Sequence, residues 1–118
     1  MTTPDAEHRF RDLTEPLLAA AGVERSTMMG LPCLRLHGAF FASFDRRTGN
    51  LLVKLTEPRV DELIAAFRAE PFAPAGRRFR AWAAIPDHHR WTALLDDALT
   101  IAAGAPANTP GRARTRKR

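Results

Sequence analysis

The stretch CLRLHGAFFASFDRRTGNLLVKL, residues 33–55, decides the fold, because apolar residues recur within it at a period of two. Alternation of this kind is typical of β-strands whose two faces meet different surroundings. Between the alternating runs, His37-Gly38 and residues 45–50 are rich in turn-forming residues. The stretch therefore predicts a three-stranded antiparallel meander, with strands at residues 33–37, 40–44 and 51–55.

The alternation also assigns side chains to faces of the predicted sheet. In the second run, Phe40, Ala42 and Phe44 are expected on one face, and Phe41 and Ser43 on the other. A sheet carrying this many aromatic side chains has more apolar surface than a single helical layer covers. We therefore keep open a surface that associates with another protein or with a second copy of the chain.

The residues before the meander predict a helix and a short extended piece. Apolar residues spaced by three and four positions indicate a helix over residues 4–21, and Gly22 suits its end. Pro16 lies inside that helix, where proline is costly, so we expect either a kink or a restart capped by Thr14. Residues 24–29 are expected to lead into the meander as an extended segment.

Two further helices and a strand are predicted after the meander. Thr56 is expected to cap the second helix and the prolines at 71 and 74 to end it, while Asp87 caps the third helix, which Gly104 stops. The apolar face of the second helix comprises Val60, Leu63, Ile64 and Phe67. That of the third comprises Trp91, Leu94, Leu95, Ala98 and Ile101 or Ala102.

Residues 78–85, between the two helices, are expected to be extended, with Phe79, Trp82 and Ile85 as the large apolar residues. The order is then helix, three strands, helix, one or two strands, helix, which indicates an α+β protein with helices packed on an antiparallel sheet. At 118 residues the chain suits one domain, expected over residues 1–104. Residues 105–118 lack large apolar side chains and are expected to form a disordered basic tail.

Charge is concentrated in that tail. The net charge is +5, yet the body carries 13 basic and 13 acidic side chains, and the excess comes from Arg112, Arg114, Arg116, Lys117 and Arg118. With one cysteine, no signal peptide and no apolar run long enough to cross a bilayer, we expect a cytoplasmic protein without membrane association.

The sequence shows no arrangement typical of catalysis. Cys33 and His37 lie four residues apart and His88-His89 lie elsewhere, which is a weak pattern for zinc, and no nucleophile or phosphate-loop motif is present. We therefore expect no catalytic residues, no metal, no cofactor and no small-molecule substrate, and keep open as a minor alternative an enzyme with a pocket between the sheet and loop 71–78.

Two basic features are candidates for nucleic-acid contact. Arg77, Arg78 and Arg80 flank Phe79 and Trp82, which is the composition of phosphate contact and base stacking. Strand alternation with Phe79 and Trp82 in the core would give the same pattern. The five cations of the tail could neutralise phosphates without reading sequence, or serve only as a solubilising extension.

The chain also resembles the TfoX N-terminal domain family and the related YjbR (MmcQ)-like family over residues 7–103. The order and spacing of several short motifs carry this resemblance: LTEPL at 13–17, VERSTMMG at 23–30, LHGAFFA at 36–42, LLVKL at 51–55, PFAP at 71–74, RAW at 80–82 and IP at 85–86. Met29 stands where the family often has phenylalanine.

The resemblance implies a two-layer α-β(3)-α-β(2)-α fold similar to secretion chaperones. Some members are linked to competence regulation and others are described as DNA-binding, and no catalytic residue set can be transferred. The expected function is a non-enzymatic regulatory module that contacts nucleic acid without sequence specificity. The alternative is a dimerising or chaperone-like protein-interaction domain that does not bind nucleic acid.

Overall fold

One antiparallel sheet of six strands organises the molecule, in the order β1-β2-β3-β4-β6-β5. In this computed structural model, residues 3–28 and 30–104 are described, so the predicted basic tail lies outside the described residues. The strands are β1 (Val23–Met28), β2 (Leu31–Leu36), β3 (Ala39–Asp45), β4 (Asn50–Lys54), β5 (Glu70–Pro71) and β6 (Trp82–Ile85).

Three α-helices accompany the sheet: α1 (Thr3–Thr14), α2 (Glu57–Ala65) and α3 (Trp91–Gly104). Short 3-10 helices follow α1, precede β6 and lead into α3, at Glu15–Ala19, Pro74–Gly76 and His88–Arg90. The α+β class predicted from the sequence is confirmed. None of the described helices has the length and apolar character needed to cross a bilayer.

The predicted meander is confirmed as β2, β3 and β4, and the extended piece before it is itself a strand. β1 pairs with β2 along its whole length, from Val23 opposite Leu36 to Met28 opposite Leu31. The sequence of β1 is polar and does not show the alternation typical of a strand, because an edge strand buries few of its side chains. Its backbone still completes the hydrogen bonds of β2, and the sheet therefore has four strands before α2.

A β-bulge changes the expected faces of β3. The register between β2 and β3 shifts after Leu34, so Phe41 has no direct partner on β2. The extra residue turns Phe41 toward the helices, where it joins Ala42 and Phe44 in the core. Phe40 is only partly buried and lies under the guanidinium of Arg35, whose Cζ is 6.0 Å from its ring centroid. The strict alternation predicted for this strand is therefore wrong at Phe40 and Phe41.

Pro16 ends the first α-helix, as the restart interpretation expected. The chain continues as the 3-10 helix Glu15–Ala19, but the side chain of Thr14 does not cap it. The Thr14 hydroxyl instead donates to the carbonyls of Phe10 (2.8 Å) and Arg11 (3.1 Å) and accepts from Arg25 (3.2 Å). The predicted Thr14 cap is wrong because the buried hydroxyl finds its partners in the preceding turn.

Gly22 adopts a φ of +86°, which agrees with its expected role at the end of this region. Glycine is also needed here for space, since a Cβ would lie 2.2 Å from the ring of His37. His37-Gly38 forms the predicted two-residue turn between β2 and β3, and both residues have positive φ.

The predicted cap of α2 is confirmed, whereas its end and its apolar face need correction. The Thr56 hydroxyl accepts a hydrogen bond from the backbone of Arg59 at 3.3 Å. The helix ends at Ala65, well before Pro71, and Phe67 then takes a left-handed φ of +59°. The Phe67 side chain consequently leaves the helix face and is 97% exposed.

The predicted start of the third helix is confirmed with one refinement. The Asp87 carboxylate accepts from the backbone of His89 at 3.0 Å and caps a 3-10 turn that runs into α3. The expected inward face is confirmed too, since Trp91, Leu94, Leu95 and Ala98 are buried.

The core lies between the sheet and helices α1 and α3. Phe44 of β3 contacts Phe10 of α1 and Trp91 of α3, at centroid distances of 5.8 and 6.2 Å. The indole N–H of Trp91 donates to the carbonyl of Ile85 at 2.9 Å, which ties α3 to β6. These contacts place α1 and α3 on one face of the sheet. The other face is not covered by these two helices.

Candidate binding cleft

The sheet face turned away from α1 and α3 carries a second, smaller apolar region. Ser43 and Leu52 are paired across β3 and β4, one residue away from the core pair Phe44 and Leu51. Neighbouring residues of a strand point to opposite faces, so Leu52 lies on the face without helices. It is nevertheless fully buried, which requires another segment to cover it.

The covering segment is the loop over residues 72–79. It is anchored at β5, which pairs with β6 through Pro71 and Ala83. The backbone N–H of Phe79 donates to the carbonyl of Phe72 at 2.9 Å, and that of Trp82 donates to Phe79 at 3.1 Å. These bonds fold the loop back on itself and hold its two phenylalanine rings together.

The aromatic rings of this segment form a stacked group at the surface. The rings of Phe72 and Phe79 are stacked with centroids 5.7 Å apart, and Phe72 lies 6.5 Å from Trp82. Phe79 is 39% exposed, so the stack reaches solvent at this ring. The expectation that residues 78–85 form one strand with Phe79 and Trp82 in the core is wrong, because the strand starts at Trp82 and neither ring joins the core.

Between this segment and the sheet lies a cleft of about 590 Å³, which we call the aromatic cleft. This volume is in the range of sites that hold small ligands or parts of larger ones. Its walls are mostly apolar and its mouth is charged. The lining residues are Met28, Leu31, Asp45, Arg46, Arg47, Leu52, Phe72, Pro74, Phe79 and Trp82.

The two neighbouring arginines at the mouth have different surroundings. Arg46 binds both carboxylate oxygens of Glu7, at 2.8 and 3.0 Å, and donates to the carbonyl of Gly30 at 3.1 Å. The hydrogen bonds between Arg46 and Glu7 lower the pKa of Glu7 and raise that of Arg46. The Arg47 side chain has no hydrogen bond or ion pair with any residue that the structure describes. Arg46 therefore connects the turn after β3 to α1, and the guanidinium of Arg47 is the one available to a ligand.

Asp45 adds a carboxylate to the cleft. It is 9% exposed, and its Oδ1 accepts a hydrogen bond from the backbone N–H of Arg47 at 2.9 Å. The bond closes the predicted turn after β3 and fixes the backbone from which Arg47 extends. Asp45 therefore orients the free arginine at the mouth.

The three arginines expected to contact nucleic acid do not form one cluster. The Arg77 guanidinium carbon lies over the ring of Phe79, 5.7 Å from its centroid. Arg78 instead pairs with Asp61 of α2 at 3.3 Å, and Arg80 is exposed without a hydrogen bond or ion pair among the described residues. The other candidates, Arg112, Arg114, Arg116, Lys117 and Arg118, lie outside the described residues.

Three cleft residues, Phe72, Arg46 and Arg47, were not predicted from the sequence as part of a site. The two arginines were interpreted only as part of the turn over residues 45–50. The signal for Phe72 was only its place in the loop PFAP, residues 71–74, which does not show whether the ring is packed or exposed. Arg46 and Arg47 gave no such signal. Their different roles depend on Glu7, which is 39 residues away in the chain.

The metal-ligand candidates are not among the residues that line the cleft. Cys33 is a buried strand residue, and burial raises the pKa of its thiol. His88 packs against Trp91 with centroids 4.5 Å apart, and His89 is exposed. Within residues 3–28 and 30–104, no three His, Cys, Asp or Glu side chains come together as metal ligands.

In comparisons with known proteins, no family model, no curated protein and no solved structure matches the chain. The resemblance to the TfoX N-terminal domain family therefore stays a prediction.

Proposed function

We propose that this chain is a non-enzymatic regulatory module that holds unpaired nucleotides in the aromatic cleft. The observation that carries this proposal is the stacked pair of Phe72 and Phe79, in which Phe79 is 39% exposed and the Arg77 guanidinium lies over its ring. A nucleobase can take the place of this guanidinium on the ring, and stacking on a protein aromatic is worth about 1–3 kcal/mol per base. The resemblance to a family with members described as DNA-binding points the same way.

Charge at the cleft supports the same ligand. Arg47 at the mouth and Arg77 over the Phe79 ring are exposed cations next to apolar walls, and Asp45 is the acid among the residues that line the cleft. A nucleotide has the matching chemistry, a planar ring joined to a phosphate. The tail would add sequence-independent contacts to neighbouring phosphates.

The cleft favours single strands over duplexes. In a duplex, each base is already stacked between its neighbours, and its face is inaccessible to Phe79. An unpaired base can leave the strand at a small cost and stack on the ring. We therefore expect tighter binding to single-stranded oligonucleotides than to a duplex of the same length.

The test is fluorescence anisotropy of a labelled oligonucleotide of about eight nucleotides, within the usual site size of one single-strand-binding module, over a salt series. Phe79→Ala should weaken binding by about 5- to 100-fold without changing the salt dependence. Arg47→Gln should instead reduce the slope of log K against log salt by about 0.7, the value for one phosphate contact on a single strand.

Matched controls come from the α2 end of the molecule. Phe67→Ala removes an exposed phenylalanine, and Arg68→Gln removes an exposed arginine, both outside the cleft. Neither should change the affinity by more than about twofold. Replacing all five tail cations by glutamine should lower the slope by up to about 3.5 on a single strand.

Two results would contradict the proposal. One is a full-length chain that fails to bind single strands at about 50 mM salt, where phosphate contacts are strong. The other is binding that falls only with the tail cations and is equal for wild type and Phe79→Ala. That second result would assign all affinity to non-specific electrostatics and none to the cleft.

A further inference from the structure

The aromatic cleft has a nearly buried carboxylate on its wall. Asp45 ends β3, is 9% exposed and lines the cleft together with Leu52 and Phe79. Its Oδ1 accepts from the backbone N–H of Arg47 at 2.9 Å. Its Oδ2 accepts no hydrogen bond from any residue that the structure describes. One of the two oxygens of Asp45 is thus unused within the described part of the chain.

The unused oxygen is accessible. Within the described residues, the buried side-chain nitrogen and oxygen atoms that lack a partner are the Nε atoms of Arg9 and Arg35. Oδ2 of Asp45 is not one of these atoms, so part of its surface is exposed. Because Asp45 lines the cleft, a donor on a ligand bound there can reach this oxygen.

In the described part of the chain, the neighbouring arginines do not use this carboxylate as an ion-pair partner. Arg46 instead binds both oxygens of the Glu7 carboxylate, at 2.8 and 3.0 Å. The guanidinium of Arg47 has no ion pair with any residue that the structure describes. The charge of Asp45 is therefore available to a ligand.

A carboxylate in this position selects ligands by the donors that they carry. A ligand that fills the cleft shields Oδ2 from solvent, and this oxygen is left unpaired unless the ligand donates to it. Hydrogen bonds to a charged acceptor are about twice as strong as those between neutral groups. A base edge that places a carbonyl oxygen against Asp45 is repelled, whereas an edge with donors is held.

We propose that Asp45 gives the aromatic cleft a preference for guanine, an inference that rests on the proposed binding of unpaired nucleotides. Guanine carries two adjacent donors on its Watson–Crick edge, the N1–H and the 2-amino group, and a carboxylate can accept from both at once. Oδ1 can accept a second hydrogen bond beside that from Arg47, since a carboxylate oxygen has two lone pairs. Adenine and cytosine have one amino group beside an acceptor, and thymine has one N–H between two carbonyl oxygens. Guanine is therefore the base that pairs with both oxygens of Asp45 while its ring stacks on Phe79.

The test is fluorescence anisotropy of the full-length chain with oligothymidylates of about eight nucleotides, in which a central thymine is replaced by guanine, adenine or hypoxanthine. Guanine should tighten binding by about 5- to 150-fold over thymine, the range for one bidentate contact to a base. Adenine controls for the stacking of a purine ring. Hypoxanthine is guanine without the 2-amino group, so its strand should bind at least about fivefold more weakly than the guanine strand.

Asp45→Asn assigns the preference to this residue. The amide keeps an oxygen that can accept from the backbone N–H of Arg47, so the turn is retained, and it replaces the other oxygen by a donor. The affinities for the guanine and hypoxanthine strands should then agree within about twofold. Asp12→Asn, at an exposed position outside the cleft lining, should leave the wild-type ratio unchanged. Because the readout is a ratio within one variant, a general loss of affinity does not produce this result.

Two outcomes would overturn the inference. One is a wild-type chain that binds the guanine and hypoxanthine strands equally, while Phe79→Ala still weakens both; the proposed function then stands without base selection by Asp45. The other is a guanine preference that persists in Asp45→Asn, which would assign it to another group. Absence of all single-strand binding would instead contradict the proposed function, and this inference with it. The comparison of the two strands on the wild-type chain needs no variant, so misfolding of Asp45→Asn does not prevent the test.

Discussion

Phe44, on the helix-covered face of the sheet, is fully buried, whereas Phe79, at the cleft on the other face, keeps 39% of its surface exposed. The difference comes from what covers each face. Two helices pack over Phe44, and their side chains meet its ring on both sides, at Phe10 and Trp91. A single irregular loop covers the other face and leaves a cleft. The comparison separates aromatic residues that stabilise the fold from aromatic residues that are free to bind.

The largest expected effect is on folding stability. Phe44→Ala should lower the free energy of unfolding by about 3–5 kcal/mol, because it leaves a cavity between α1, α3 and the sheet. Phe79→Ala should lower it by less than about 1 kcal/mol, since its ring already contacts water. Urea denaturation of both variants measures the difference. Equal losses would mean that the loop over residues 72–79 is as much a part of the core as the helices.

An intermediate effect is expected from the neighbouring arginines at the cleft mouth. Arg46→Gln should lower the urea midpoint, because Arg46 connects α1 to the turn after β3 through Glu7. Arg47→Gln removes the same charge and should leave the midpoint unchanged. A shared loss of stability would contradict the distinction between a structural and a free arginine.

The same ion pair makes a pH prediction with a defined sign. The pKa of Glu7 is lowered in the folded chain, mainly by the hydrogen bond from Arg46, so the unfolded chain binds its proton more readily. The stabilisation is therefore present above 4.5, the ordinary pKa of a glutamate, and is lost as pH falls below it. Arg46→Gln should flatten the dependence of the urea midpoint on pH in this window, and Arg47→Gln should not.

The smallest expected effect concerns His88, which packs beside Trp91 on the helix-covered side of the sheet. Burial, together with the charge of Arg9, lowers the pKa of His88 from the ordinary histidine value of 6.5. The unfolded chain then takes up this proton first, so stability should decrease as pH falls through 6.5 and level off below the folded pKa. His88→Phe should remove that slope, and His89→Phe, at an exposed position, should retain it.

Much of the fold could be predicted from the sequence because it depends on neighbours in the chain. The period of two in residues 33–55 indicates strands, and the turns between them follow from local residue chemistry. Thr56 and Asp87 act as caps because a helix end needs an acceptor within a few residues. The candidate site was predicted only in part, since Arg77, Phe79 and Trp82 belonged to a possible binding segment, whereas Phe72, Arg46 and Arg47 were not singled out.

By itself, then, the sequence determined the α+β class, the meander, the second and third helix caps and the concentration of positive charge in the tail. Only the tertiary structure decided that Phe41 faces the core, that Phe67 is exposed and that Arg46 is engaged while the Arg47 side chain has no hydrogen bond or ion pair among the described residues. The physical reason is the range of the interactions. Periodicity and capping act over a few residues, whereas a bulge, a cleft or an ion pair depends on which distant segments the sheet brings together.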